Sequence, residues 1–412
     1  MKFEEKLNHY AQLLVIHGLN VQPGQLVQIS AAAYHRDLAC KVAQVAYEKG
    51  AKFVQVDLLD DRLAKLRLTR SCDEALKFVP RFVQEKYREL VDEEAASLSI
   101  VGPEDPDLLT DVDPKKMNIC QSARRQAIKV FYEEGIGKSK VQWTVAAAAT
   151  PLWGKKVFPK ETPQKAEELL WDSLFKLCRV DRPDFLEEWK RHNTLLHTRG
   201  KKLTDMQIKE LHFTGPGTDL VVGLSSKACW QGGTDKSSRG VEFEPNLPTE
   251  ECFSTPDYRA TRGKVRATRP FFVYGTLVKD LEMEFKSGEI VHFTAKEGSE
   301  TFREYINTDP GAKRLGEVAL VGIDSPIFQS GLLFSEILLD ENAACHIAIG
   351  RAYDFCLKGG PHMTPEEKDA LGCNDSLTHT DMMISNEQVD VHATTYNGQT
   401  LKIISKGAWV SF

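Results

Sequence analysis

Nine cysteines lie between Cys40 and Cys373, yet none forms a CxxC pair. An odd number without close pairing argues against a disulfide framework or a cysteine-rich zinc site, and for a reducing compartment. Long hydrophobic runs are also missing, since no window reaches the ~18 consecutive apolar residues that a membrane helix requires. The N-terminal stretch MKFEEKLNHYAQLLVIHGLNV mixes acids with bases and has no apolar run before a small-residue cleavage site, so it does not read as a signal peptide. Excess positive charge is lacking as well: 53 basic against 59 acidic side chains leave a net charge of −6, which disfavours a nucleic-acid partner. The expectation is a cytoplasmic protein without a membrane or nucleic-acid partner.

Two phosphate-binding patterns fail on inspection. Gly137-Lys138-Ser139 would end a P-loop, but Tyr132 stands where its leading glycine belongs, and Gly215-Pro216-Gly217 has no third glycine. The Gly-x-Ser-x-Gly elbow of a serine hydrolase is absent too.

What is present is a chain of 412 residues, 42% hydrophobic and 27% charged, the profile of a soluble globular protein with a core. At roughly 100–200 residues per domain, two domains are expected. Phe3, Leu7, Ala11, Leu14 and Val15 recur at helical spacing; QLVQIS reads as a buried strand, residues 35–48 as a helix ending at Gly50, and KFVQVDLL as another strand. This βαβ rhythm continues through AASLSIVG, a helix after Asp113-Pro114, and WTVAAAA, predicting a parallel sheet flanked by helices. From about residue 207 the texture becomes strand-rich, and Asn397-Gly398 between alternating runs signals a hairpin. Between the halves, Arg182-Pro183-Asp184 precedes a linking helix. The expected class is α/β, with an N-terminal α/β domain over residues 1–183 and a strand-rich α+β domain over residues 184–412.

Four segments of the second half carry groups that bind metals. Adjacent carboxylates Glu250 and Glu251 sit between two prolines, hence in a loop or strand end. Glu317 directly precedes an apolar strand. Asp340, Glu341 and His346 surround a short turn, and His379 and Asp381 stand two apart. On a strand, residues i and i+2 face one side, so His379 and Asp381 present an imidazole and a carboxylate to one point. A mixed nitrogen and oxygen set suits zinc, cobalt or manganese, with magnesium less natural. Carboxylates outnumber histidines, as expected where one carboxylate bridges two cations, so two metals are favoured over one. Each group alone reads more simply as a satisfied histidine or a solvated acid. Their occurrence inside apolar or turn-rich segments, where unpaired charge is costly, shifts that balance. His17, His35, His292 and His392 lack such company and are read as structural.

In order and spacing, NLPTEECFSTPDYRATRG, DPGAKRLGEVALV, SEILLDENAACHIAIGRAYD and DSLTHTDMMIS resemble the metallo-aminopeptidase family of aminopeptidase T, aminopeptidase S and PepS, the thermophilic-type leucyl aminopeptidases. LNVQPGQLVQISA and QWTVAAAATPLWGKKVFP extend the likeness over most of the chain. The resemblance implies a homodimeric enzyme with a metal-bearing C-terminal domain that uses two divalent metals to release the first residue of peptides with a free N-terminus. It places metal ligands at Glu251, Glu317, His346, His379 and Asp381, with Glu341 a further ligand, and a tyrosine near the metals at Tyr353. Chemistry then suggests Glu250 as general base beside ligand Glu251, and Tyr353 as a donor to the tetrahedral oxyanion. The alternatives are a structural metal site in a non-catalytic peptide-binding dimer, or a two-metal phosphoesterase.

Overall fold

In the computed structural model, which describes residues 1–410, the apolar runs of the first half assemble into one parallel sheet. Its strands are β1 (Leu26–Ala32), β2 (Phe53–Leu59), β3 (Ala96–Val101), β4 (Gln142–Ala147) and β5 (Asn246–Leu247), in the order β2-β1-β3-β4-β5. Every neighbouring pair is parallel. Val27, Ile29 and Ala31 of β1 and Leu98 and Ile100 of β3 are buried, so burial of apolar side chains sets their register. Parallel neighbours require crossovers, supplied by the helix Arg36–Glu48 between β1 and β2 and the helix Pro114–Ala127 between β3 and β4. The latter begins where Asp113 accepts the Lys115 N–H at 2.9 Å with Pro114 in the first turn. The N-terminal helix, Phe3–Gln12, runs on into a π-helical turn, Leu13–Gly18, whose Leu13, Leu14 and Val15 are buried.

The chain divides into two compact units, one formed by Met1–Asn193 with Gly233–Thr249 and the other by Thr194–Gly232 with the chain from Glu250 on. The boundary expected near residue 183 falls just before the helix Phe185–Asp205, which contributes residues to both units. Gly233–Thr249 returns to the first unit because Asn246 and Leu247 pair with Val145 and Ala146 of β4. The same segment brings Glu244, fully buried, against His17. Nε2 of His17 lies 3.1 Å from the Glu244 carboxylate, which also accepts a 2.6 Å hydrogen bond from Asn193 Nδ2. His17 thus joins the π-helical turn to the returning segment.

The second unit contains an eight-stranded sheet that includes the adjacent strands Thr218–Gly223, Ile208–Gly215, Asp390–Thr395 and Thr400–Ser405. The last two are antiparallel and joined through Asn397-Gly398, where Gly398 adopts φ +83°, the left-handed region a tight turn uses. A second sheet holds β6 (Cys252–Ser254), β7 (Leu315–Leu320), β8 (His346–Gly350) and β9 (His379–Met383), in that order and antiparallel throughout. Every residue of β7 and β8 is buried.

The His17, Glu244 and Asn193 contact in the first unit makes a stability prediction. His17→Leu leaves the Glu244 carboxylate in an apolar setting with one donor fewer, so the first unit should lose about 1–3 kcal/mol in urea unfolding. An unchanged midpoint would show that the contact contributes nothing.

Candidate metal centre

Strand register collects the metal-type side chains of β6 to β9 on one face. Glu317 of β7 pairs with Ala348 of β8, which pairs with Asp381 of β9, so the three share a row. His346 lies two residues from Ala348 and His379 two from Asp381, hence on the same side. Phe253 pairs with Ala319, opposite His346, so Glu251, two residues before Phe253, joins that face as β6 begins. Between the acids, Ala348 contributes only a methyl group. The reverse face carries Val318, Leu320, Ile347, Ile349 and Met382, all fully buried in the hydrophobic core.

A β-bulge stands just before Glu317. Leu315 pairs with Ile349 but Glu317 pairs with Ala348, leaving Gly316 as an extra residue. Glu317, Val318 and Ala319 keep one register with Ala348, Ile347 and His346, so the extra residue turns Leu315, which would otherwise share the face of Glu317, into the core. Only glycine fits at the bulge, because a Cβ there would lie 2.3 Å from the Arg351 carbonyl oxygen. Glu317, expected just ahead of the strand, is therefore its third residue.

The donor atoms form two groups that share one residue. Nε2 of His346 lies 2.9 Å from Glu251 Oε2 and 3.9 Å from Glu317 Oε1. Nε2 of His379 lies 3.4 Å from Glu317 Oε2 and 3.6 Å from Asp381 Oδ1. Glu251, Glu317 and His346 make one set and Glu317, His379 and Asp381 the other, with the atoms of each set within 4.8 Å of one another. Glu317 directs one oxygen to each.

Both imidazoles are oriented from behind. Nδ1 of His346 lies 3.1 Å from the Ala344 carbonyl oxygen and Nδ1 of His379 lies 2.7 Å from that of Arg351. With the hydrogen on Nδ1 donated to a carbonyl, each Nε2 lone pair faces inward, the arrangement a metal-ligating histidine requires. Nε2 of His346 is close to Glu251 Oε2 without an aligned N–H, and that oxygen is buried with no hydrogen-bond donor. Converging lone pairs on a buried oxygen and nitrogen fit a cation between them, so the residues present suit a metal.

Electrostatics agree. Glu251, Glu317, Glu341, His346 and Asp381 are each at most 7% exposed. Burial pushes the Glu317 carboxyl up to about 7, helped by Asp381 and Glu251. Burial, then Asp381, Glu251 and Glu317, raise Glu341 well above the carboxylate range. Burial opposes charge on the imidazoles too, but Glu251, Asp381 and Glu317 outweigh it at His346, raised to about 9, and Asp381 and Glu317 outweigh it at His379, raised to about 10. The protein by itself thus holds protons where a cation would sit.

Of the other expected residues, Glu341 belongs to this electrostatic cluster. Tyr353 sets its ring 5.0 Å from that of His379, within an aromatic group that includes Phe355 at 5.1 Å and Phe253 at 6.0 Å. Glu250 is buried, and its backbone N–H donates to Asn342 Oδ1 at 2.7 Å. Asn342, itself fully buried and donating to the Leu338 carbonyl, ties the Glu250–Glu251 segment to the turn bearing Glu341. Sequence reading missed Asn342 and Gly316; an amide between buried acids and alanines was the available signal for the first, whereas nothing local marked the second.

A family profile described as "Thermophilic metalloprotease (M29)" matches residues 3–409. The chain belongs to that family. Aminopeptidase AmpS of Bacillus subtilis is 39% identical over 407 residues, 99% of each chain, and aminopeptidase T of Thermus aquaticus is 38% identical over 408 residues, again 99% of each. Wild-type AmpT from Thermus thermophilus superposes with a TM-score of 0.90 at 38% identity, covering 99% of this chain and 100% of that one. This M29 chain therefore shares its whole length and its fold with relatives named as aminopeptidases, and its α/β first half and strand-rich second half are the architecture expected.

The raised imidazole values predict the proton balance of metal uptake. At pH 7 both histidines of the metal-free protein are imidazolium and Glu317 is partly protonated, whereas ligands bind deprotonated. Loading should release about two protons or more, read by calorimetry in buffers of different ionisation enthalpy. By linkage, because these folded values lie above the ordinary ~6.5, the imidazolium contacts stabilise the metal-free chain fully below that pH and are lost as pH rises through about 9 to 10. Uptake without proton release would show the histidines already neutral.

Proposed function

We propose that this protein is a metal-dependent aminopeptidase that releases the first residue of free-amine peptides with two divalent cations held at β6 to β9. The observation that carries the reading is Glu317, whose two oxygens divide between two histidine and carboxylate groups. Glu251 and His346 would hold one cation, His379 and Asp381 the other, with Glu317 between. The nitrogen and oxygen donors suit zinc, cobalt or manganese better than magnesium. Neither group of donors contains a cysteine, which weighs against a closed structural zinc site, and the relatives' names weigh against a phosphoesterase.

Bound divalent ions would supply a water acidic enough to attack at neutral pH and would polarise the carbonyl of the peptide bond being hydrolysed. The chain's own groups do the rest. The general base expected beside ligand Glu251 is Glu250, which is buried; Glu341, expected as a further ligand, lies in the same cluster of acids. The Glu250 backbone N–H also donates to Asn342, which helps place Glu251. Tyr353, beside His379, is suited to donate to the oxyanion. The excess of acids favours a substrate with a free ammonium, or its neutral amine as a ligand.

A homodimer is supported by exposed apolar side chains in the first unit, where Phe53 and Leu59 on edge strand β2, with Leu63, Phe78 and Phe82, are each more than half exposed. A cytoplasmic setting is supported by nine cysteines without a disulfide. No helix among the described residues is long and apolar enough to cross a membrane.

Two experiments test the reading. One peptide in free and N-acetylated form, followed by mass spectrometry with and without chelator, should lose its first residue only when the amine is free and metal is present. Equal cleavage of both forms, internal cuts, or full activity in metal-free protein would end the aminopeptidase assignment. In the second, Glu250→Gln should lower kcat by about 10²–10⁴ with metal content retained. If Glu341→Gln shows that loss with metal retained instead, the base is Glu341.

A further inference from the structure

Behind the His379 side of the centre lies a hydrogen-bonded brace that the chemistry above does not use. Asp309, between the helix Ser299–Ile306 and β7, accepts from the N–H groups of Gly311 at 2.9 Å and Ala312 at 3.0 Å through Oδ1. The same carboxylate reaches across to the segment leading into β9. Ser376 Oγ donates to it at 2.9 Å, and the Leu377 N–H donates to Oδ2 at 2.7 Å. Ser376 Oγ in turn accepts the Thr378 N–H at 3.1 Å, one residue before His379. The Thr378 carbonyl accepts from Arg351 N–H at 2.7 Å, and the Arg351 carbonyl accepts from Nδ1 of His379. Asn374, buried, closes the other side by donating to the carbonyls of Gly311 at 2.8 Å and Gly350 at 2.6 Å.

The entries of β7 and β9 and the exit of β8 are therefore fastened at one end of the sheet, where His379 stands opposite Gly350. No comparable tie from Asp309 runs to Glu251 or to His346, which are set by Asn342 and the Ala344 carbonyl. Backbone position near a ligand is a strong lever, because the partners that orient ligands typically change metal affinity about 10–100-fold when altered.

We propose that Asp309 is a positioning residue for one half of the centre: through Ser376 and Leu377 it sets the strand carrying His379 and Asp381, and so the affinity of the Glu317, His379 and Asp381 group without that of the Glu251, Glu317 and His346 group. This rests on the two-metal reading above. The isosteric change Asp309→Asn is the sharpest probe, since its carbonyl oxygen can keep the Gly311 and Ala312 bonds while its NH2 faces the Leu377 N–H, donor against donor.

The test is calorimetric titration of metal-free protein with Zn2+, with metal content measured by mass spectrometry, on the wild type, Asp309→Asn and the milder Ser376→Ala. Thermal unfolding checks that each is folded. The wild type should bind two ions. Asp309→Asn should weaken one of the two sites by about 10–100-fold and leave the other near its original affinity. Ser376→Ala should weaken the same site by less. The residual binding curve of Asp309→Asn should overlay that of His379→Ala and differ from that of Glu251→Ala. Equal weakening of both sites in a folded variant, or no weakening of either, overturns the positioning role. A wild type that binds a single ion overturns instead the two-metal reading.

Discussion

The centre depends on holding like charges together in an apolar sheet. Glu251, Glu317, Glu341 and Asp381 are buried within one electrostatic neighbourhood, and the nearby positive charges are two imidazoles that burial itself disfavours. An arrangement of this kind is costly in a protein alone, and protons taken up by the histidines and acids relieve part of the cost. A bound metal ion would relieve it more fully, which would tie the folding of the sheet to the chemistry it supports.

Rigid strands make that concentration of charge possible. All of β7 and β8 is buried, with one face committed to the core by Val318, Leu320, Ile347 and Ile349, so the opposite face cannot slip or rotate without exposing them. Small residues then make room: Ala348 separates Glu317 from Asp381, and Gly316 admits the bulge that turns Leu315 into the core while Glu317 faces the centre. Backbone carbonyls of Ala344 and Arg351 fix the rings without adding charge.

Much of this was legible beforehand. Period-two spacing on an apolar run placed His379 and Asp381 on one strand face, and the βαβ rhythm announced the parallel sheet, because both periodicities are local consequences of backbone geometry. The hairpin at Asn397-Gly398 was readable for the same reason: glycine tolerates the left-handed turn that this connection needs. The return of Gly233–Thr249 to the first unit was not readable, since a two-residue strand at a sheet edge carries almost no pattern of its own.

What the sequence determined by itself was the inventory: which segments become strands, which carry carboxylates and imidazoles, and that nothing in them suits phosphate or serine chemistry. Pairing across strands decided the rest. Whether Leu315 shares the face of Glu317 or turns into the core depends on a one-residue bulge, and a bulge is a relation between two strands whose partner lies more than 30 residues away. Which carboxylates and imidazoles stand together likewise follows from the fold, because charge interactions depend on distance in space and local sequence records only distance along the chain.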